Sequence, residues 1–271
     1  LQGVTIVNLF FENSTRTRIS FELAQKRLSA DTVNFSASSS SLQKGESFKD
    51  TAQNIEAMKI DAVVIRHPTP GAPKLLTEFI DAVIINAGDG THEHPTQAIL
   101  DMMSLHEKFG KLKGLKVGII GDISHSRVAL SNIHGLLIMG ADVTLCGPPN
   151  LIPPFIKDLG VNINYNVDEV IEWADALNIL RIQRERMGLG LVPSVREYRA
   201  MFGITQERLE SHKKEIVIMH PGPMNRGVEI DGTVADGDQA IILDQVLNGV
   251  ASRMAILYLL CGGKSSEEEE S

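Results

Sequence analysis

Two kinds of segment alternate along the chain. Short apolar and β-branched runs, of which residues 5–11 (TIVNLFF) are the first, predict buried strands. Between these runs, apolar residues recur every three or four positions, as in Phe21, Ala24 and Leu28, and this spacing predicts amphipathic helices. Parallel strands need long crossover connections, usually helices, so the alternation predicts three-layer α/β units with parallel sheets.

The predicted elements form two series that meet at residues 110–114 (GKLKG). The first series has strands at 5–11, 32–36, 62–66 and 83–87. Its four predicted helices alternate with them. The first begins after Ser14 or Thr15, the second carries the stripe Phe48, Thr51, Ile55 and Met58, the third covers 74–79, and the fourth runs from Pro95 to about 109. The second has strands at 116–120, 142–146, 161–165, 176–180 and 216–219, a helix at 128–139, and a last helix at 244–260 with Val246, Val250, Met254 and Leu257 on one face.

We therefore predict two doubly wound parallel-sheet domains of three layers each. The first covers residues 1–110, and a C-terminal helix at 244–261 packs back on it. The second covers residues 111–243, and residues 262–271, which end in a run of glutamates, are predicted to be a disordered tail.

Composition narrows the class of protein. Of the 271 residues, 43% are apolar and 22% are charged, which is typical of a globular protein. The longest apolar run, residues 254–261, is far shorter than the roughly 20 residues of a membrane span. Two cysteines, Cys146 and Cys261, do not make a disulfide framework, so a cytoplasmic location is expected. A net charge of −8 argues against nucleic acid as the main partner, but not against small anionic substrates.

Ligands bind at the carboxyl ends of strands in open parallel sheets, so the loops after the predicted strands carry the candidate chemistry. Directly after the first strand, Ser14-Thr15-Arg16-Thr17-Arg18 opens a helix. Hydroxyls, free backbone N–H groups and the positive helix end make an anion site there, and arginine adds a fork of donors suited to phosphate. The alternative is a helix cap followed by solvated arginines.

Two further loops of the first series are ambiguous by themselves. Residues 38–41, four serines that precede Lys44-Gly45-Glu46, are typical of a flexible linker. A mobile loop with one lysine and several hydroxyls also suits a lid over an anionic substrate. Arg66 ends a predicted strand and is either a surface residue or a site residue.

The loop before Pro95 contains His92 and His94. A metal site is disfavoured, because no third ligand stands at a suitable spacing. A neutral histidine at a helix start, donating to a developing negative charge, is favoured. Gln97, one turn further on, offers both a donor and an acceptor.

In the second series, residues 118–122 (GIIGD) are followed by a helix, as in dinucleotide-binding folds. The G-x-G-x-x-G fingerprint and the acidic ribose ligand are missing, so no nucleotide cofactor is expected and Arg127 becomes the candidate there. Arg181 and Gln183, two apart in extended chain, point to one side and can grip one carboxylate. The prolines of the loop His220-Pro221-Gly222-Pro223 stiffen it and remove backbone donors, so it offers mainly carbonyl acceptors to a ligand. The alternative is that this segment is a turn without a binding role.

These loops supply cations, histidines and a glutamine, but no spare catalytic carboxylate, nucleophile or metal set. That inventory suits the binding of two anions and does not suit hydrolysis through an activated serine or cysteine.

The motifs S-T-R-T-R, R-H-P, H-P-T-Q, R-I-Q-x-E-R and H-P-G-P-x-N-R occur in this order. Together they resemble the aspartate carbamoyltransferase catalytic chains, over residues 1 to about 260. S-T-R-T-R and H-P-x-Q are shared with ornithine carbamoyltransferases, whereas Lys44-Gly45-Glu46, the pair Arg181 and Gln183, and His220-Pro221-Gly222-Pro223 are similar to the aspartate enzymes. The resemblance implies transfer of a carbamoyl group from carbamoyl phosphate to L-aspartate in pyrimidine synthesis, with no cofactor or metal.

The resemblance also implies residue roles. Carbamoyl phosphate would be bound by Ser14, Thr15, Arg16, Thr17, Arg66, His94, Gln97, Pro221, Gly222, Pro223 and Ser41, with Ser40 as the alternative to Ser41. Aspartate would be bound by Lys44, Arg127, Arg181, Gln183 and Gly222. Arg16, Thr17, Arg66, His94 and Lys44 would act in catalysis, most of them at the carbonyl oxygen, whose negative charge grows during attack.

The implied assembly is a homotrimer in which Lys44 and a nearby serine serve the neighbouring subunit's site. Glu12 would bridge the two domains to Arg127 and Arg186 in a closed state. Whether regulatory chains or a dihydroorotase join the trimer stays open. Chains of this family begin with further residues, including a helix that packs on the first domain, so we expect residues before Leu1 and incomplete packing of the last helix without them.

Two alternatives remain at this point. One is a carbamoyltransferase for another amino acceptor, and the other is a non-catalytic carbamoyltransferase-like subunit that scaffolds a partner enzyme. The presence of all the expected site residues argues against the second.

Overall fold

A computed structural model describes residues 1–36, 47–182, 194–212 and 215–262. The chain divides into two compact units. One contains Leu1–Thr96 together with the chain from Gly249 onward, and the other contains Gln97–Asn248.

The first unit contains a four-stranded parallel sheet in the order β2-β1-β3-β4. Its elements are β1 (Thr5–Phe10), α1 (Thr15–Arg27), β2 (Asp31–Ser36), α2 (Phe48–Glu56), β3 (Ala62–His67), α3 (Ala72–Leu76) and β4 (Val83–Asp89), followed by the start of α4 (Pro95–Phe109). Alternate residues of β1 face opposite layers: Ile6 packs with Phe21 of α1, and Val7 packs with Ile55 of α2. Helices therefore cover both faces of the sheet.

The second unit contains a five-stranded parallel sheet in the order β7-β6-β5-β8-β9. Its elements are the rest of α4 from Gln97, β5 (Lys116–Ile120), α5 (Arg127–Ile138), β6 (Asp142–Cys146), β7 (Asn162–Ile163), α6 (Val167–Trp173), β8 (Ala176–Ile179), α7 (Val195–Phe202), α8 (Gln206–His212), β9 (Val217–Met219) and α9 (Gly232–Ala235), with short 3₁₀ helices at Pro149–Leu151 and Ile156–Leu159. The last helix, α10 (Ile242–Cys261), begins in this unit and belongs to the first unit from Gly249 onward. Val117 and Ile120 of β5 lie in separate core clusters, one on each face.

The predicted fold class, two parallel-sheet α/β domains of three layers, is confirmed. No described helix is both long enough and apolar enough to cross a bilayer.

Several element predictions are wrong in detail. Met58 is not on α2: the helix ends at Glu56, the chain turns through Lys59 at φ 61°, and Met58 is 75% exposed. The helix predicted at 74–79 is α3, which begins earlier because Pro73 fits a first helical turn.

The strand predicted at 161–165 is reduced to β7. The Asn166 side chain accepts from the Asp168 N–H and caps α6, so the chain leaves the sheet to start this helix. On α10, Val250 and Leu257 are buried as predicted, but Val246 of the same stripe is 53% exposed.

Candidate active site

The turn from β1 into α1 carries the first candidate residues. Ser14 is the N-cap residue in extended conformation, and its hydroxyl makes no capping hydrogen bond. The first turn of α1, which begins at Thr15, contains no acidic residue. Since the first N–H groups of a helix lack intrahelical partners and its positive end attracts anions, Ser14, Thr15, Arg16 and Thr17 stand together at a surface suited to an anion.

Arg66 lies beside this helix start because β3 pairs with β1, where Arg66 is in register with Phe10. Its Nη1 donates to the Thr17 Oγ1 at 3.4 Å and to the Ala87 carbonyl oxygen at 3.3 Å. Its Nε donates to Glu12 Oε1 at 2.6 Å, and the Arg66 side chain is only 13% exposed. The guanidinium is thus held in one orientation at the carboxyl edge of the sheet.

Asp89, at the end of β4, organises the loop that leads to His94. Its side chain is 1% exposed, and its carboxylate contacts the Gly71 N–H (2.7 Å), Asn86 Nδ2 (2.9 Å), His92 Nδ1 (3.0 Å) and the Glu93 N–H (3.2 Å). His92 is half exposed and paired with Asp89, whereas His94 is buried at the start of α4. Among the described residues, no cluster of three or more histidine, cysteine or acidic side chains is arranged to hold a metal ion.

The second unit presents two arginines at the carboxyl edge of its own sheet. Arg127 is the first residue of α5, whose start is capped by the Ser126 hydroxyl, which accepts from the Ala129 N–H at 3.2 Å. Arg181 follows β8, and the preceding Leu180 N–H donates to the Ile120 carbonyl oxygen of β5 at 2.8 Å. Because β5 and β8 are neighbours, both arginines follow adjacent strands.

The loop after β9 is held by buried polar groups. His220 Nδ1 accepts from the Gly222 N–H at 2.7 Å, which places the proton of the neutral ring on Nε2, 3.5 Å from Glu229 Oε1. Asn225 Nδ2 donates to Glu229 Oε2 at 3.2 Å and to the Ile182 carbonyl oxygen at 2.8 Å. The Gly222–Pro223 peptide is cis. Asn225, which also contacts Glu229, therefore connects this loop to the segment that carries Arg181.

Gln97 is attached to a buried carboxylate. Its Nε2 donates to Asp101 Oδ1 at 2.9 Å, one turn along α4. Burial raises the pKa of Asp101 to about 6, and hydrogen bonds from surrounding amides oppose this rise.

The structure brings together most, but not all, of the predicted residues within each unit. In the first unit, Ser14, Thr15, Arg16 and Thr17 form the start of one helix, and Arg66 contacts Thr17. In the second unit, Arg127, Arg181 and the 220–223 loop follow strands of one sheet. Lys44, Ser40, Ser41, Gln183 and Arg186 lie outside the described residues.

Three acidic residues that the sequence did not reveal organise these loops: Asp89, Asp101 and Glu229. Only Asp101 had a local signal, since it stands four residues after Gln97 on one helix face. Glu12 contacts Arg66 here, and its predicted bridge to Arg127 and Arg186 stays a prediction.

Comparison with known proteins agrees with this layout. Residues 1–107 match the family model of the aspartate/ornithine carbamoyltransferase carbamoyl-phosphate-binding domain, and residues 113–260 match that of the Asp/Orn-binding domain. The chain is 61% identical over 264 residues to an aspartate carbamoyltransferase catalytic subunit of Gemmatimonas aurantiaca (97% of this chain, 83% of the relative). It is 61% identical over 260 residues to that of Christiangramia forsetii (96% and 84%).

The chain is also similar in fold to a solved structure. The aspartate transcarbamoylase of Trypanosoma cruzi, in complex with carbamoyl phosphate, superimposes with a TM-score of 0.86 at 33% identity, covering 95% of this chain and 84% of that one.

Proposed function

The chain belongs to the aspartate/ornithine carbamoyltransferase family, and from this membership we propose that it transfers the carbamoyl group of carbamoyl phosphate to the amine of L-aspartate. The products are N-carbamoyl-L-aspartate and phosphate, as pyrimidine synthesis requires. The observation that carries the proposal is the placement of Arg66, which is held beside Thr17 at the positive end of α1.

Carbamoyl phosphate binds to the first unit. The N–H groups at the start of α1, the hydroxyls of Ser14 and Thr15, and Arg16 hold the phosphate. Thr17, Arg66 and His94 face the carbonyl oxygen and stabilise its growing negative charge. Because Glu12 and the Ala87 carbonyl already fix the Arg66 guanidinium, little reorganisation is needed during the reaction.

Aspartate binds to the second unit. Arg127 holds its α-carboxylate, and Arg181 with Gln183 holds its β-carboxylate, with Gly222 alongside. Gln97 and the Pro221 carbonyl accept from the carbamoyl nitrogen, and Pro223 completes that loop.

Attack forms the bond between the aspartate nitrogen and the carbamoyl carbon as the bond from that carbon to the phosphate oxygen breaks. The leaving phosphate takes the amine proton, so the protein contributes orientation and charge stabilisation rather than a base.

We also propose the assembly. Chains form a cytoplasmic homotrimer in which Lys44 and Ser41 of one chain complete a neighbour's site, with regulatory chains or a dihydroorotase as further candidate partners. Residues 1–110 with helix 244–261 and residues 111–243 are the two functional domains, and Glu12 with Arg186 links them in a closed state.

An acceptor assay tests the activity. Purified chain is mixed with carbamoyl phosphate labelled in its carbon and with L-aspartate or L-ornithine, and the labelled products are separated. We expect label in N-carbamoyl-L-aspartate, with ornithine at least 10³-fold poorer by kcat/KM. Arg16→Ala should abolish most turnover, while Arg18→Ala, on the same helix but exposed and paired with Glu22, should stay within twofold. Preferred carbamoylation of ornithine, or no transfer to either acceptor, would contradict the proposal.

A further inference from the structure

The Asp101 carboxylate is fully buried among carboxamides from four elements of the second unit. Its Oδ1 accepts from Gln97 Nε2 on α4 at 2.9 Å and from Gln245 Nε2 on α10 at 2.7 Å. Its Oδ2 accepts from Asn132 Nδ2 on α5 at 2.8 Å and lies 3.5 Å from Asn178 Nδ2 on β8. The two amides on Oδ1 belong to Gln97, a proposed substrate-binding residue, and to Gln245, which contacts the residue before Pro221. The two amides near Oδ2 belong to Asn132 and Asn178, which have no proposed substrate role.

A charge buried among neutral groups opposes folding, because four amide hydrogen bonds replace water without supplying an opposite charge. We therefore expect the buried carboxylate to have a specific role that offsets this cost. An ionised carboxylate only accepts hydrogen bonds, so each amide that contacts it must turn its nitrogen inward.

That constraint fixes two atoms outside the cluster. With Nε2 of Gln97 turned to Asp101, its Oε1 is left as the acceptor. With Nε2 of Gln245 turned to Asp101, its Oε1 accepts from the His220 backbone N–H at 3.0 Å, directly before Pro221. An uncommitted amide could rotate by half a turn and present donors in both places.

We propose that Asp101 is a positioning residue that selects the carbamoyl NH₂ group, by turning the Gln97 carbonyl oxygen outward and by fixing the Pro221 loop through Gln245. This inference rests on the proposed function, in which Gln97 Oε1 and the Pro221 carbonyl accept from the carbamoyl nitrogen. Two such acceptors match the two N–H donors of a carbamoyl group. A methyl group at that position has no donor to offer.

Acetyl phosphate is the matched probe, since it replaces the carbamoyl NH₂ by CH₃ and keeps the phosphate and the carbonyl. The experiment measures kcat/KM for carbamoyl phosphate at saturating aspartate and the inhibition constant of acetyl phosphate as its competitor. Asp101→Leu removes both acceptor oxygens and keeps the branched side-chain skeleton, and Asp101→Asn keeps one accepting oxygen. Gln245→Met removes the hydrogen bond to Asp101 and the one from the His220 N–H, and leaves Gln97 on Asp101 Oδ1. Asn132→Ala is the control within the same cluster, because it removes an Oδ2 donor that contacts no proposed substrate residue.

We expect Asp101→Leu to lower kcat/KM for carbamoyl phosphate at least tenfold, whereas the inhibition constant of acetyl phosphate should stay within twofold of the wild-type value. Asp101→Asn should be intermediate, Gln245→Met should resemble Asp101→Leu in direction, and Asn132→Ala should keep the wild-type ratio. If Asp101→Leu does not fold, Gln245→Met decides. Equal weakening of both phosphates, or the same loss of ratio in Asn132→Ala, would reduce Asp101 to a structural role and overturn the inference. Failure of the proposed function is distinguishable, because the wild-type chain would then give no carbamoyl aspartate.

Discussion

Arg66 and Glu12 form an ion pair in which Nε lies 2.6 Å from Oε1, with side chains 13% and 26% exposed. The pair, with the Thr17 hydroxyl and the Ala87 carbonyl, leaves the guanidinium few alternative rotamers. A cation held in place before substrate arrives is the arrangement that stabilises a developing charge at least cost.

Replacing Arg66 should therefore impair turnover more than binding. Arg66→Ala is expected to lower kcat by about 10²–10³, the usual effect of removing one oxyanion donor. Glu12→Gln, which keeps a hydrogen-bond acceptor but loses the charge, should fall between this variant and wild type. Steady-state kinetics in both substrates checks this. A higher KM for carbamoyl phosphate with kcat unchanged would mean that Arg66 binds ground and transition states equally, against the assigned role.

Arg181 should act on the second substrate alone. Loss of a charge-assisted contact to a carboxylate corresponds to roughly 2–4 kcal/mol when the contact is desolvated, so Arg181→Ala should raise the KM for aspartate about 30- to 1000-fold. The KM for carbamoyl phosphate should change less than threefold. Arg196→Ala, an exposed arginine on α7, is the control and should change neither. Equal weakening of both substrates would refute the assignment.

Asp101 should give stability a specific pH dependence. Its pKa is about 6 in the fold and 3.8 as a free group, so between these values the native state holds a proton that the unfolded chain has released. The contribution of this group is therefore present below pH 3.8 and is lost as pH rises to about 6, a change on the order of 3 kcal/mol. Denaturant unfolding of wild type and Asp101→Asn from pH 4 to pH 7.5 measures it. The free energy of unfolding of wild type minus that of Asp101→Asn should decline across this range. A difference that does not change with pH would show that the fold does not raise the pKa of Asp101.

The ends of β5 and β6 approach so closely that Gly147 has no room for a side chain. A Cβ there would overlap the Gly121 carbonyl oxygen, while the Gly121 N–H donates to the Cys146 carbonyl oxygen at 2.8 Å. Gly147→Ala should lower the free energy of unfolding by roughly 2–4 kcal/mol. Gly232→Ala is the control, since its Cβ would meet only the end of the Arg226 guanidinium at 3.2 Å. Similar unfolding midpoints for both variants would contradict the close approach.

The sequence predicted the sheets well because strand residues such as Ile6 and Val117 carry their own burial pattern. It also placed Arg66 and Arg181 at strand ends, where parallel sheets expose their loops. It could not reveal the contact between Asp101 and Gln245, which are 144 residues apart, because such partners are set by tertiary packing. The substrate roles came from the resemblance to a family, and the residue-by-residue roles remain predictions.

The proposed reaction needs both the anion site proposed in the first unit and the carboxylate site proposed in the second. Titration of a bisubstrate analogue that joins a phosphonate to aspartate tests this most directly, by calorimetry on wild type, Arg16→Ala and Arg181→Ala. We predict one analogue per chain, bound at least 10³-fold more tightly than either substrate because both anions are held without the entropy of bringing two molecules together, and weakened at least 30-fold in each variant. If the analogue binds no more tightly than carbamoyl phosphate, or if one of the two substitutions leaves its affinity unchanged, the two sites do not serve one reaction.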